Sequence, residues 1–431
     1  MPVPRKPEPA SSARTRDEAK PHLVSIPRAW LIGLAALLIV PWVVVSAIYF
    51  LPGGGAPASV AMPAAAPAVA DAGPWGHLEM TPIVVSPPLE YVGADWGGRK
   101  LEPDQWKFPG VSREQLGAFL TTAGFTADQT SRVLARTQAD PATGGLIATP
   151  EPDLVRSLSP EVRGRLYAQL AKSPLNFDQA NSFRFFGDSP DAWLSGTLIS
   201  PATRSILVPL LYRDSGFLHF ADVELVRDQV KDPEQLRRLA KTLLRQSTMI
   251  VRLSVRDSSE VAGLAEYWGR GGRRTDLRPL LESVAAGGPG HSIDIVHLLP
   301  GFARNHLYRY PKLTAADLNR SLLSNCLWSS LNFFSVEPED RFLELSVALE
   351  TLKRDYFIVE SGFLLGDIVA FLDEDGDLFH VAVYLADDLV FSKNGTSPVS
   401  PWIIMPLDRV TGFYRTRSTN PRLIYHRHGQ H

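Results

Sequence analysis

Apolar and polar positions alternate with different periods along this chain, and the changes in period mark its parts. Residues 29–51 (AWLIGLAALLIVPWVVVSAIYFL) are apolar without interruption, and no charged residue falls between Arg28 and Asp71. A run of that length crosses about 30 Å of hydrocarbon as a helix, so a membrane span is expected there. Pro41 would kink it, and Trp30 and Tyr49 would sit near the two interfaces. Residues 52 to about 95 are dominated by Ala, Pro and Gly, a composition that buries too little apolar surface to fold. An extended spacer is expected.

From about residue 110 helical signals take over. Ser112 begins an S-x-x-Q capping pattern before LGAFL, and Ser159 followed by Pro160 opens EVRGRLYAQLAK with an N-cap and a proline at the first helical position. Asp232 with Pro233 repeats the device, and Leu236, Leu239, Leu243 and Leu244 then keep near-helical spacing. TMIVRLSV at 248–255 alternates like a strand, and Asp257 can cap the segment SSEVAGLAEYWG. A mostly helical middle domain over 109–312 is the expectation. After Gly366 the period becomes two, giving strands at 367–372, 378–385 and 389–394 separated by turn clusters at 373–377 and 386–388. NCLWSSLNFF and RFLELSVALETLKRD read as helices before them, an order that suits a small α+β domain with an antiparallel sheet.

Charge sets the orientation of the expected span. Arg5, Lys6, Arg14, Arg16, Lys20 and Arg28 precede it, and no Lys or Arg follows until Arg99. The positive-inside rule then makes the N-terminus cytoplasmic and the bulk of the chain extracytoplasmic. A retained anchor is favoured over a cleaved leader, whose apolar region is about 7 to 15 residues. The expected organisation of this single-pass membrane protein is a cytoplasmic basic tail at 1–28, the span at 29–51, a spacer at 52–108, the helical domain at 109–312, the α+β domain at 313–418 and a C-terminal tail at 419–431. A net charge of −2 argues against a nucleic-acid partner. The single cysteine, Cys326, excludes an intrachain disulfide and a thiolate metal cluster. No phosphate-cradling glycine motif opens a helix, so neither a nucleotide nor another cofactor is expected. Nothing in residues 109–312 names a partner for that domain.

Cys326 carries the candidate chemistry. A helix N-terminus lowers a thiol pKa, and Ser324 or Asn325 can cap a helix beginning at Cys326, with Leu327, Leu331 and Phe334 on its apolar side. Thr314 and Asp317 cap a preceding helix, AADLNRSLL, so a break at 321–324 is required to keep the thiol at a helix start. Activation needs a base and a third polar group that orients it. His380 opens the apolar half of the second strand, and Ser392 and Asn394 share one face of the third, where either can reach the far imidazole nitrogen.

NCLWSSLNFF, then GDIVAF, then HVAVYL, then a hairpin into SKNG resembles the NlpC-type papain-like cysteine peptidases over about residues 320–415. The resemblance implies a papain-like C-terminal domain in a cysteine hydrolase or amidase, with Cys326 as nucleophile, His380 as base and Asn394 or Ser392 as orienting residue. It also implies a cell-wall peptide as substrate. This chain departs from the family at Asn325 and Leu327, where the family commonly has Asp before and a small residue after the cysteine. The competing expectation is a membrane-tethered binding or scaffold protein with an inactive papain-like domain.

Other polar groups read as structural. Asp373, Asp375 and Asp377 start like a calcium loop, but Tyr384 stands where the closing Glu belongs, so a hairpin turn is expected. His426, His428 and His431 read as an unstructured terminus. Arg270, Arg273, Arg274 and Arg278 read as a helix end and a polar surface loop, and His291, His297 and His306 lack metal-ligand partners at matching spacing.

Overall fold

Short sequence signals build most of this molecule. The computed structural model describes residues 68–69, 73–92, 105–187, 189–288, 290–311 and 323–429, all within one unit, Val44–His431. Ser112 and Gln115 form the expected capping box at the start of Arg113–Ala123, and Gly124 ends that helix with φ +95°, the left-handed conformation that glycine adopts without strain. Ser159 caps Pro160–Leu170, and Asp232 caps Pro233–Leu243, each with proline in the first turn.

Strands separate these helices more often than the periodicity predicts. After β1 (Ala68–Val69) and β2 (His77–Val85), a first sheet of order β3-β5-β4 joins Trp106–Phe108 (β3), Thr137–Asp140 (β4) and Gly145–Ala148 (β5). A second, of order β6-β8-β7, joins Phe183–Phe185 (β6), Tyr212–Asp214 (β7) and Phe217–Phe220 (β8). The expected mostly helical middle domain is thus corrected to a mixed α/β region. Its strands are too short for an alternating pattern to stand out from the flanking helical one.

β9 (Gln246–Ser254) pairs along its whole length with β2, His77 opposite Ser254 and Val85 opposite Gln246, and β10 (Ser292–Asp294) adds to its other edge. Residues 77–85, read from composition as part of the spacer, are therefore a strand: LEMTPIVV supplies β-forming residues that the surrounding Ala and Pro obscure.

The C-terminal region holds a six-stranded antiparallel sheet of order β11-β16-β12-β13-β14-β15, built from Tyr356–Val359 (β11), Ile368–Leu372 (β12), Leu378–Ala386 (β13), Leu389–Lys393 (β14), Trp402–Pro406 (β15) and Arg422–His428 (β16). The segment expected as a tail supplies β16, inserted between β11 and β12, with His426 and His428 in the ladder. One face of the sheet packs Ile368, Val381, Val383 and Phe391 against the Cys326 helix and the helices of residues 261–306. The opposite face packs Val369, Phe371, Ala382, Tyr384 and Val390 under the helix Leu407–Phe413. A separate core lies within residues 106–243.

The β6–β8 sheet docks on that last helix. Arg184 donates to the Phe413 carbonyl and lies 5.1 Å over its ring, while Arg409 lies 4.0 Å over the ring of Phe186.

The expectation of a single-pass membrane protein with its bulk outside the cytoplasm is corrected as well. Among the described residues no helix is long and apolar enough to cross a membrane. Residues 29–51, where the span was expected, lie outside the described residues, so neither the span nor the location derived from it is carried further.

Candidate functional site

Cys326 opens a six-residue helix, Cys326–Leu331, after non-helical residues 323–325. The expected break falls partly here, and the expected helix before it lies outside the described residues. Asn325 is the N-cap, its side chain accepting from the Trp328 amide at 2.8 Å. Leu327, Trp328 and Leu331 bury the helix against the sheet, and Ser329 accepts from the Trp402 indole at 2.8 Å.

The half-buried thiol meets β13 one residue from the proposed base. Pairing between β13 and β14 runs no further than Val383 opposite Phe391 at that end, and the Val381 amide there favours the thiolate form of the sulfur. Desolvation raises the thiol pKa above its ordinary value, opposed by the Val381, Leu327 and Cys326 amides and by the charge of Lys393. The helix start therefore does not leave this cysteine a preformed thiolate.

His380, Ser392 and Asn394 come together as a buried hydrogen-bonded chain. Ser392 Oγ lies 3.0 Å from His380 Nε2 and donates to Asn394 Oδ1 at 2.8 Å. A hydroxyl has one proton, so Ser392 must accept from His380, which fixes the Nε2–H tautomer and leaves Nδ1 as a bare lone pair. Nδ1 is buried without a hydrogen-bond partner. Tyr414 stacks on the imidazole at 4.4 Å between centroids, and Phe371 lies 5.5 Å away. Desolvation pushes the His380 pKa down to about 3, so the ring is neutral at physiological pH.

Of the four predicted residues, three are joined and the fourth is not. Strand alternation sends His380 and Ser392 to the sheet face under Tyr414, and Val381 and Lys393 to the face that carries the Cys326 helix. Neither imidazole nitrogen hydrogen-bonds the thiol.

Three neighbours escaped the sequence reading. Lys393 is wholly buried, donating to the Gly395 and Ser397 carbonyls at 3.0 and 3.1 Å, with its ammonium 5.5 Å from the Trp402 ring centre. Its signal was visible: a lysine at a core-facing position of an apolar strand. Tyr414 and Trp402 come from outside the expected meander and carried no such signal.

The set-aside groups find structural roles. Asp373 Oδ1 accepts from the Asp375 and Asp377 amides at 3.2 and 2.9 Å, closing the hairpin turn. Arg270 donates to the Leu365 carbonyl, and Arg273 to the carbonyls of Leu298 and Trp268, so these two cations knit loops together rather than lining a surface. His431 lies outside the described residues, and among the described residues no group of His, Cys, Asp and Glu could hold a metal ion.

Compared with protein-family models, with curated proteins and with solved structures, the chain matches none. The resemblance to NlpC-type peptidases and the hydrolase activity it implies gain no support from those comparisons.

Proposed function

We propose that residues 323–429 form a cysteine-dependent hydrolase or amidase domain that acts by general-base catalysis from an uncharged resting pair. The observation that supports this reading is the His380 imidazole, held by Ser392 and Asn394 in one tautomer with a buried, unpartnered lone pair at Nδ1. Nδ1 is one of several buried polar atoms without a hydrogen-bond partner among the described residues, and a base waiting for a proton gives this one a role. In this reading Nδ1 takes the Cys326 proton as sulfur attacks an amide carbonyl, and the imidazolium returns it to the leaving amine. The helix-start N–H of Cys326 helps hold the oxyanion. The Cys326 thiol and the His380 ring lie on opposite faces of β13, so this proton transfer requires a rearrangement in the substrate complex that brings the thiol past the end of the β13–β14 pairing to Nδ1.

Cys326 is the only cysteine, so alkylation reports on one site. Iodoacetamide labelling at pH 7 should slow about a hundredfold in His380→Ala, the low end of what a positioned base contributes. Equal rates in the two proteins would overturn the reading.

A second reading, a binding module with an inactive papain-like domain, is favoured by a different observation. Burial raises the thiol pKa, and the ring and sulfur approach β13 from opposite faces. It expects slow labelling that is indifferent to His380.

A further inference from the structure

The two edges of the C-terminal sheet differ. At β15 the outward backbone groups are satisfied: the Trp402 N–H donates to the Arg309 carbonyl at 3.2 Å, the Trp402 carbonyl accepts from the Tyr308 N–H at 2.8 Å, and the Thr248 hydroxyl bridges the N–H and carbonyl of Ile404 at 3.0 and 2.9 Å. Trp402, Ile403, Ile404 and Met405 are buried with them. At β11, the other end of the strand order, no described residue hydrogen-bonds the outer edge.

β11 also lacks what keeps a free edge from pairing. Its sequence, YFIV, holds no lysine or proline, and its ladder with β16 runs without a bulge. Phe357 and Ile358 are 52% and 61% exposed, one on each face of the strand. Removing such side chains from water is favourable, and an edge of this kind is a template for one more strand.

The backbone and the flanking charges decide which strand fits. The Gly429 N–H bonds to the Asp355 carbonyl at 3.0 Å, so in this register Phe357 and Val359 turn their N–H and carbonyl groups toward β16, and Tyr356 and Ile358 turn theirs outward. A second β11 run antiparallel about Phe357 sets Tyr356 against Ile358 of the other copy, matching the outward groups of both chains. Exposed Arg354, at the end of the helix Leu345–Asp355, then comes opposite exposed Glu360, which follows the strand. Asp355, already paired with Arg354 at 2.7 Å in its own copy, falls opposite Val359. The segment is its own complement, apolar at the centre with opposite charges at the ends.

We infer that β11 is the docking surface for a second copy of this chain, the two strands pairing antiparallel across a two-fold axis at Phe357 and joining two C-terminal sheets into one. The pairing makes no use of Cys326 or His380, so it stands apart from the hydrolase reading. Phe357 meets its own counterpart as a non-hydrogen-bonded pair, with Cα atoms about 4.5 Å apart. That spacing suits a disulfide between the two copies.

Phe357→Cys in a Cys326→Ser background of the full chain leaves one cysteine per copy. Mild oxidation should convert most of it to a disulfide-linked dimer, and Ile358→Cys, whose counterpart is offset along the strand, should cross-link about tenfold more slowly. Sedimentation velocity of the wild-type chain should show a dimer that is lost in Ile358→Lys, which puts at this edge the charge that protected edges carry. Glu360→Lys, a change at an exposed residue, should weaken the dimer about tenfold, and adding Arg354→Glu should restore it. A monomeric wild type, a dimer that survives Ile358→Lys, or equal cross-linking at positions 357 and 358 overturns the proposal. The first of these is the result expected if another segment or an unrelated peptide occupies the edge.

Discussion

Two polar clusters are buried to the same degree in this molecule, one in the core of residues 106–243 and one in the C-terminal sheet, and they are finished differently. In the first, Arg163 faces Asp222 at 3.1 Å and donates to the Pro209 and Val155 carbonyls at 2.8 and 2.6 Å, while Tyr167 donates to the other carboxylate oxygen of Asp222. Opposite charges meet there and are enclosed. In the second, His380, Ser392 and Asn394 are all neutral, and the chain stops at a nitrogen with nothing on it. A closed charged cluster fixes the packing of its helices and strands. An open neutral one keeps a lone pair available, and that difference directs the search for chemistry to the second cluster.

The largest expected effect comes from breaking the closed cluster. Asp222→Ala leaves the Arg163 guanidinium enclosed with carbonyl acceptors and no counter-charge, which should cost about 3 to 5 kcal/mol in urea unfolding. Replacing both partners by apolar residues of similar volume, Arg163→Met with Asp222→Leu, should recover most of that loss. A single variant as stable as wild type would show that the pair is not what closes this core.

Ser392→Ala is the matching cut in the open cluster and should be milder. It orphans the His380 Nε2–H and Asn394 Oδ1, two neutral groups, for about 1 to 3 kcal/mol. Cys326 alkylation in the same variant separates roles: a merely structural serine leaves the labelling rate unchanged once folding is verified, and an orienting serine lowers it.

Much of the second cluster was legible in the sequence because its residues lie on or directly after two of three neighbouring strands whose alternation is visible. GDIVAF, HVAVYL and LVFSKN read as strands, and β12, β13 and β14 fall at 368–372, 378–386 and 389–393. A period of two then predicts which side chains share a face, and His380 does meet Ser392 and Asn394. The approach of the Cys326 helix to the other face was hidden, because the face on which a distant helix packs is a tertiary outcome. The first cluster was invisible for the same reason. Arg163 and Asp222 are far apart in sequence, and each by itself looks like an ordinary exposed charge on an amphipathic helix or loop. Residues 77–85 show a third kind of loss, in which a strand sits inside a composition that signals a spacer and gains its order from pairing with β9.

The smallest effect separates the clusters by sign, through acid. His380 has its folded-state pKa lowered by burial to about 3 from an ordinary 6.5, so the unfolded chain binds the proton more readily. Its contribution to stability is complete above about pH 6.5 and is lost as pH falls from there toward 3. Asp222 has the opposite shift: burial raises its carboxyl to about 6 from an ordinary 3.8, against the pull of Arg163 and Tyr167. The folded chain then binds the proton more readily, and this group's contribution rises as pH falls through 6 toward 3.8. The two slopes oppose each other over most of that window, so wild-type stability should change little between pH 6 and 4 on their account. Removing one titration exposes the other. Asp222→Asn should steepen the loss of stability on acidification, and His380→Gln should flatten or reverse it, each read from urea midpoints at several pH values and compared with its own midpoint at pH 7. Parallel profiles for the two variants would mean that neither cluster governs the acid side of the curve, and that exposed carboxylates, whose individual pairs contribute little, govern it together.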